Sequence, residues 1–309
     1  MQSKKDIRGA SLNRKRILLI TLASVAALLG ALILAFFLAG FRYQKLKYVS
    51  AADGSETSVS FMGFINRDGK IRSGTIFYEV GKASVDLGGD GDYTLRFSNG
   101  DIYVGEMDGL QRSGFGKMTY KSGETYVGSF LNDKYHGEGV FTYAGGDVYT
   151  GSFTGGKKSG EGRYVWSSVD GKSASYEGSF ANDKREGYGV YTEPNGTVYK
   201  GNFKNDLRDD DNASVTIVTS SGETDRYYGG YKNDRREGFG YYFYANGDVY
   251  VGEFKNNVIN GSGIIYRVDG ASFSGTFENG KIVSGTATEL SKEEADAQRE
   301  ALSSAQGIQ

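Results

Sequence analysis

The sequence predicts an all-β protein built from tandem antiparallel β-hairpins, preceded by one N-terminal transmembrane helix and followed by a short C-terminal helix. Three observations carry this reading. Of 309 residues, 47 are Gly, 23 Tyr and 18 Phe, with a single Pro, a bias toward many short strands joined by tight turns. A Tyr-x-Gly element returns at a nearly constant interval along the body, and an uncharged apolar run of 25 residues stands near the N-terminus. The aromatic content gives the body apolar surface to bury, so it folds rather than remaining a disordered linker.

The first segment, residues 1–16, is a basic tail with six Lys or Arg against Asp6. Residues 17–41 (Ile17 to Phe41) carry no charge and are rich in Leu, Ala, Ile and Phe. At about 1.5 Å per residue a helix of this length crosses a hydrocarbon core of about 30 Å. A cleaved signal peptide is the competing reading, but the run is longer than a signal-peptide apolar region. Phe37 also stands where a small residue is needed for a cleavage site ending at Ala39. Six basic residues before the helix against Arg42, Lys45 and Lys47 after it place the N-terminus in the cytoplasm by the positive-inside rule. The body then lies outside a cell membrane spanned once. The absence of Cys fits an extracytoplasmic bacterial protein, and it excludes a disulfide framework, a thiolate metal site and a Cys nucleophile. Residues 42–60 read as a juxtamembrane linker, and 61–99 as a degenerate N-terminal repeat or cap.

The body, residues 100–288, is periodic. Tyr-x-Gly occurs at Tyr103/Gly105, Tyr126/Gly128, Tyr149/Gly151, Tyr176/Gly178, Tyr199/Gly201, Tyr227/Gly229 and Tyr250/Gly252, with Phe273 in the Tyr place of an eighth unit. The spacings are 23, 23, 27, 23, 28, 23 and 23. A Gly-x-Gly follows in most units, at Gly114/Gly116, Gly137/Gly139, Gly160/Gly162, Gly187/Gly189, Gly238/Gly240 and Gly261/Gly263. Residues two apart in a strand share a face, so Tyr126, Gly128 and Phe130 point one way, as do Gly137, Gly139, Phe141 and Tyr143. A Gly on that face leaves a slot for a ring from the neighbouring strand. Asn99-Gly100, Ser122-Gly123, Asp170-Gly171, Ser221-Gly222 and Asp269-Gly270 supply the positive φ that tight turns require.

These residues closely resemble the MORN repeat family, whose units of about 23 residues follow a Tyr-x-Gly, Gly-x-Gly plan. The resemblance covers roughly residues 100 to 285. It implies an elongated, single-sheet antiparallel β-hairpin solenoid in which each hairpin contacts its neighbours. Residues 61 to 76 echo 273 to 287 through Gly-Lys-Ile-x-Ser-Gly-Thr, and both are expected at sheet ends. Ser291-x-x-Glu294 is a capping-box pattern, so a helix closing the C-terminal edge is expected within 289–309, the C-terminal cap helix and tail.

Two irregular units invite functional readings. At Tyr199 the Gly-x-Gly place holds Asp210-Asp211-Asn212, preceded by Asp206 and Asp209. Oxygen ligands suit a hard cation, but the spacing is not that of an EF-hand loop, and a solvated, elongated hairpin turn is the favoured reading. The long unit at Tyr149 contains Trp166 within Tyr164 to Asp170. This ring either anchors a partner or packs into the sheet like the Phe and Tyr at matching positions. His136 beside Gly137 has no nucleophile or second His arranged with it. The Gly-x-Gly pairs recur at repeat spacing and open no helix, which removes dinucleotide and phosphate-loop readings.

No catalytic, cofactor or metal site is expected, and the chain reads as a non-catalytic, membrane-tethered scaffold that presents its repeat surface to a protein partner. The family resemblance points the same way, toward scaffolding and membrane-associating modules. An acidic body argues against nucleic acid. Envelope glycan binding on the aromatic ladder and lipid-headgroup binding are the alternatives. The net charge of about −10 after residue 47 weighs against anionic headgroups.

Overall fold

The computed structural model describes residues 3–49, 56–168 and 170–305. Residues 1–2 of the basic tail, 50–55 of the expected linker, Val169 and residues 306–309 lie outside them. The chain is mostly β, with an apolar N-terminal helix and a short C-terminal helix, as the sequence predicts. It divides into two compact units, Met1–Lys121 and Ser122–Gln309.

In the first unit the helix runs Ser3–Leu38. Within it Thr21–Leu38 has a mean hydropathy of 2.5, and about 27 Å of helix follows from its 18 residues. Apolar side chains along it are exposed: Leu28 and Ile33 are each 68% exposed. The helix ends three residues before Phe41. Gly40, at φ +92, turns the chain out of the helix, and its N–H donates to Phe37 O at 3.1 Å, an ending that a residue with a Cβ disfavours. The stretch expected as a linker is instead the first hairpin, Phe41–Val49 paired antiparallel with Glu56–Ile65. Strands Ile71–Phe77, Lys82–Leu87, Tyr93–Phe97, Ile102–Asp108 and Gln111–Thr119 follow, each antiparallel to the one before. One face is buried through Val59, Phe61, Ile76, Val85, Leu95 and Tyr103, all at most 2% exposed. Phe61 takes the repeat Tyr position: its ring lies over the cross-strand pair Gly63 and Gly74, where a Cβ would come within 2.8 Å of it.

The second unit continues the pattern from Thr125–Leu131 paired with Lys134–Thr142 to Ser272–Glu278, against which the short strands Lys281–Ile282 and Thr288–Leu290 pair. Its hairpins close on two-residue turns in which both residues have positive φ: Asn132 and Asp133 (50° and 66°), Asn182 and Asp183 (50° and 72°), Asn256 and Asn257 (50° and 73°). This is the turn whose twist matches the strands. The second turn residue also clamps the preceding hairpin. Asp183 N–H donates to Lys158 O (3.1 Å) while its Oδ1 accepts from Lys158 N–H (2.9 Å). Asp206 with Arg185, Asp234 with Arg208 and Asn257 with Arg236 repeat the exchange.

Within the acidic stretch Asp206 is the second residue of the two-residue turn Asn205-Asp206, and the Gly-x-Gly place is strand rather than an elongated turn. Asp210 opens the strand Asp210–Val218, with a bulge before Ala213. Its carboxylate accepts from Asn202 N (2.6 Å), Asn202 Nδ2 (2.7 Å) and Asn212 N (2.7 Å). Asp206 and Asp209 pair with Arg185 and Lys232 at 3.4 and 3.0 Å. These carboxylates fasten neighbouring strands.

The C-terminal helix, Lys292–Ala305, starts at the expected Ser291, whose Oγ accepts from Glu294 N–H (3.3 Å) and donates to Glu294 Oε2 (2.6 Å). It does not close the edge, where Lys281–Ile282 and Thr288–Leu290 lie. It packs through Ala295 (2% exposed) onto Phe243, Val249 and Tyr266, with Leu302 alongside, and Tyr266 OH donates to Gln298 Oε1 at 2.6 Å. Val249 alternates with Tyr250, so the helix covers the face opposite the repeat tyrosines. Ala295→Glu forces a charge into this contact. We expect amide-exchange protection of residues 292–302 to collapse while that of the hairpins at Tyr126 to Tyr227 holds; unchanged protection would show that the helix does not depend on this packing.

Candidate functional site

Each repeat Tyr is a structural pin. Tyr103, Tyr126, Tyr149, Tyr176, Tyr199, Tyr227 and Tyr250 are at most 1% exposed. Each hydroxyl donates to the backbone carbonyl three residues on, from 2.6 Å at Tyr103 to 3.1 Å at Tyr250. In the second unit the rings form an unbroken edge-to-face ladder with the aromatics four residues on. Tyr149, for example, meets its own Phe153 and the next hairpin's Phe180, both at 5.1 Å, a geometry favoured by the ring quadrupoles.

The two glycines of Gly-x-Gly do different jobs, which corrects the shared-face reading. Gly116, Gly139, Gly162, Gly189, Gly240 and Gly263 lie under the Tyr ring of their unit, cross-strand from Gly105, Gly128, Gly151, Gly178, Gly229 and Gly252. The earlier glycines, Gly114, Gly137, Gly160, Gly187, Gly238 and Gly261, have φ between 60° and 116° and sit in a bulge. A Cβ on Gly137 or Gly160 would approach Ser129 or Ser152 at 3.5 Å, away from the Tyr face. In the Tyr199 unit Gly201 lies beside Tyr199 OH and Asp210.

On this Tyr face the second strands of several hairpins set out half-buried rings, and the second unit joins some of them into a strip. Phe141 meets Tyr143 at 4.6 Å, Tyr143 meets Tyr164 at 5.7 Å, Tyr164 meets Trp166 at 4.6 Å and Trp166 meets Tyr191 at 5.6 Å. Trp166 is therefore packed with tyrosines on two hairpins and is half-buried beside them. Further along, Tyr242 and Tyr244 repeat the pair at 4.5 Å, but Val215 and Ile217 interrupt the aromatic run.

Cations lie over these rings. Lys158 Nζ is 4.9 Å from the Tyr164 centroid and 3.3 Å from Tyr143 OH. The Arg185 guanidinium is 5.5 Å from Tyr191 and 4.8 Å from Phe203, and that of Arg236 is 5.2 Å from Tyr242, distances at which cation–π attraction operates. Sequence reasoning missed this row, although its signal was present: the residue nine after the repeat Tyr is basic at Arg112, Lys158, Arg185, Arg208 and Arg236. It also missed two carboxylates under the strip. Asp147 accepts from Tyr164 OH (2.7 Å) and Ser167 N (2.7 Å), and the buried Asp225 from Tyr242 OH (2.6 Å) and Ala245 N (2.8 Å). Burial first, and the carboxylate second, raise the pKa of Tyr164 and Tyr242, which keeps both phenols neutral donors.

A family model described as the MORN repeat matches residues 103–125, 126–148, 149–168, 176–198, 227–249 and 250–272. The chain carries six MORN repeats. The model's boundaries start at the pinned tyrosines and pass over the irregular Tyr199 unit, where Asp210 stands in the Gly-x-Gly place. Comparison with curated proteins gave no match. Similar solved structures include the SAS-4 (dCPAP) TCP domain of Drosophila melanogaster in complex with a proline-rich motif of Ana2 (dSTIL). It is 14% identical with a TM-score of 0.28, covering 63% of this chain and 90% of that one. The TCP10 domain of Danio rerio CPAP in complex with a STIL peptide is 14% identical, with a TM-score of 0.38 and coverage of 80% and 99%. A further structure of the wild-type TCP10 domain of Danio rerio CPAP is 11% identical, with a TM-score of 0.29 and coverage of 80% and 99%.

Proposed function

We propose that this MORN-repeat protein is a non-catalytic, membrane-tethered scaffold that holds a protein partner along the half-exposed strip Tyr143, Tyr164, Trp166 and Tyr191 under Lys158 and Arg185. The observation that carries this reading is the strip itself. Tyr, Trp and Arg dominate binding energy at protein interfaces because they give large contact area with few rotamers to freeze. Here the rings are already fixed by packing and by carboxylates, so little ordering cost remains at binding. Extended repeat surfaces engage partners along their length. Within the strip the Tyr164 phenol is committed to Asp147, which suits recognition rather than proton transfer.

The exposed apolar helix is the tether, with the basic tail in the cytoplasm and the repeats outside. Replacing the exposed Ser304 by Cys tests this, since the native chain has none. An impermeant maleimide is expected to label intact cells, and labelling only after lysis would put the repeats in the cytoplasm.

A photoreactive residue at position 143 or 166 is expected to cross-link a discrete protein in cells, and one at the exposed positions 177 or 200 on the opposite face is not. Lys158→Glu with Arg185→Glu should lower the yield at least about tenfold, the scale of losing an interface anchor. Equal cross-linking from both faces would reject the strip as the contact. Retention of the chain on purified cell wall, abolished by Trp166→Ala, would instead favour a glycan.

A further inference from the structure

The first hairpin belongs to no MORN repeat, and it is joined to the apolar helix without a flexible link. Phe36 of the helix packs against Phe41 (5.8 Å) and Phe64 (6.2 Å), which meet each other at 5.4 Å. Arg42 lies 4.1 Å over the Phe37 ring and donates to Phe37 O (2.9 Å) at the helix end and to Phe41 O (2.8 Å) at the start of the strand. The hairpin is thus held in one orientation on the helix end.

The face of the hairpin that carries Phe41 and Phe64 is graded. Next along it come Tyr43 and its cross-strand partner Met62, 65% and 44% exposed, and then the exposed Lys45 and Lys47. Residues 41–49 contain three basic and no acidic side chains, in a chain whose remainder is acidic. An order of Phe, then Tyr with Met, then Lys follows the polarity of a bilayer surface from hydrocarbon through headgroup to the aqueous side of the phosphates.

We infer that this hairpin face seats in the headgroup layer of the leaflet from which the helix emerges, with Tyr43 and Met62 among the headgroups and Lys45 on anionic phosphates. The inference rests on the proposed membrane tether. Strand geometry limits the reach: Tyr43 stands at most about 7 Å and Lys45 about 13 Å from Phe41. The headgroup layer is roughly 5–7 Å deep on each side. Whatever the strand's tilt, Tyr43 and Met62 stay within that layer, and Lys45 stays within about one Debye length, 8 Å, of it. The seat also gives the first unit a fixed presentation, because a rigid joint that rests on lipid restrains the swing a flexible linker would allow.

The test uses the full chain in vesicles of phosphatidylcholine with or without phosphatidylglycerol. Met62→Cys and, separately, Leu34→Cys carry an environment-sensitive fluorophore. The label at 62 is expected to be quenched by a shallow lipid-borne quencher and shielded from aqueous iodide, more so with phosphatidylglycerol. Lys45→Glu should lower the ratio of lipid to iodide quenching about fivefold or more, the scale of about 1 kcal/mol per basic residue near an anionic surface. A label at 62 open to iodide while that at 34 is lipid-quenched would overturn the seat and leave the tether standing. Labels open to iodide at both positions would remove the tether, and the seat with it. A seat indifferent to phosphatidylglycerol and to Lys45→Glu would overturn the assignment to anionic headgroups.

Discussion

Raising the pH above 10 is expected to unfold the second unit's hairpins in one steep transition, with tyrosinate absorbance and loss of the circular dichroism spectrum rising together. Burial is the leading cause that lifts the pKa of the ladder tyrosines from 10.0, to about 12 at Tyr126, Tyr176 and Tyr250, and it moves Tyr149, Tyr199 and Tyr227 the same way. At Tyr176 the nearby Arg185 opposes the rise, while Glu161 adds to it. A folded-state pKa above the unfolded value means that the neutral phenol is favoured by folding. Its contribution is complete below pH 10 and is lost as pH rises from 10 toward 12. At 1.36 kcal/mol per unit, each such phenol forfeits roughly 2–3 kcal/mol across that window. Six of them together are comparable with the roughly 5–15 kcal/mol that stabilises a domain. Tyr176→Phe should move the midpoint to higher pH, because one titrating group is gone. At neutral pH it should cost about 1 kcal/mol for the lost bond to Ser179 O. A gradual titration centred at 10 with the spectrum intact would show that the ladder phenols are in contact with water.

Much of this ladder was legible because its cause is local. Tyr-x-Gly and Gly-x-Gly keep their spacing wherever a ring must lie on a Cβ-free backbone, so the period and the fold class follow from the letters. What was not legible depended on departures from strict alternation. The shared-face assignment of Gly137 and Gly139 assumed an unbroken two-residue period, and a bulge at Gly137 breaks it. The Asn-Asp turns read only as polar, although two adjacent residues able to take positive φ mark this turn type; Asn-Gly is the stronger form of that signal. Phe41 counted as membrane because hydropathy has no knowledge of Gly40 ending the helix. The charges of Arg42, Lys45 and Lys47 likewise hid a strand whose partner is Glu56–Ile65. For the strip, the tyrosines were visible one by one. That Lys158 lies over Tyr143 of the preceding hairpin and Tyr164 of its own required the cross-strand register, which no single unit contains.

The separate duties of the two glycines predict losses of different size and cause from one methyl group. Gly162→Ala is expected to cost about 3 kcal/mol, the upper end for overpacking, and Gly160→Ala about 1–2 kcal/mol, the strain of a left-handed residue with a Cβ. At Gly162 the new Cβ would stand 2.5 Å from Tyr149 Oη and 2.6 Å from its Cε2. The ring cannot swing away: Phe153 and Phe180 hold it from two sides, and its hydroxyl is bonded to Ser152 O at 3.0 Å. Gly160 has φ +64, and its nearest side-chain atom is Ser152 Cβ at 3.5 Å, so room exists and backbone strain is the main cost. The rescues therefore differ. Gly160→Asn should recover most of the loss, since Asn occupies φ near +50 at Asn132, Asn182, Asn205, Asn233 and Asn256 of this same chain. Gly162→Asn should be worse than Gly162→Ala, because the added atoms reach further into the ring. Tyr149→Ala would be costly alone, about 3–5 kcal/mol for losing a large buried ring, yet Gly162→Ala added to it should cost little. A double-mutant cycle by urea denaturation, read through the near-ultraviolet dichroism of Trp166, measures that coupling. Trp166 suits this because it contacts Tyr164, two residues from Gly162. Additive losses from Tyr149→Ala and Gly162→Ala would mean that the ring and the glycine act independently, and the slot would then not be what fixes glycine at the second position of the repeat's Gly-x-Gly.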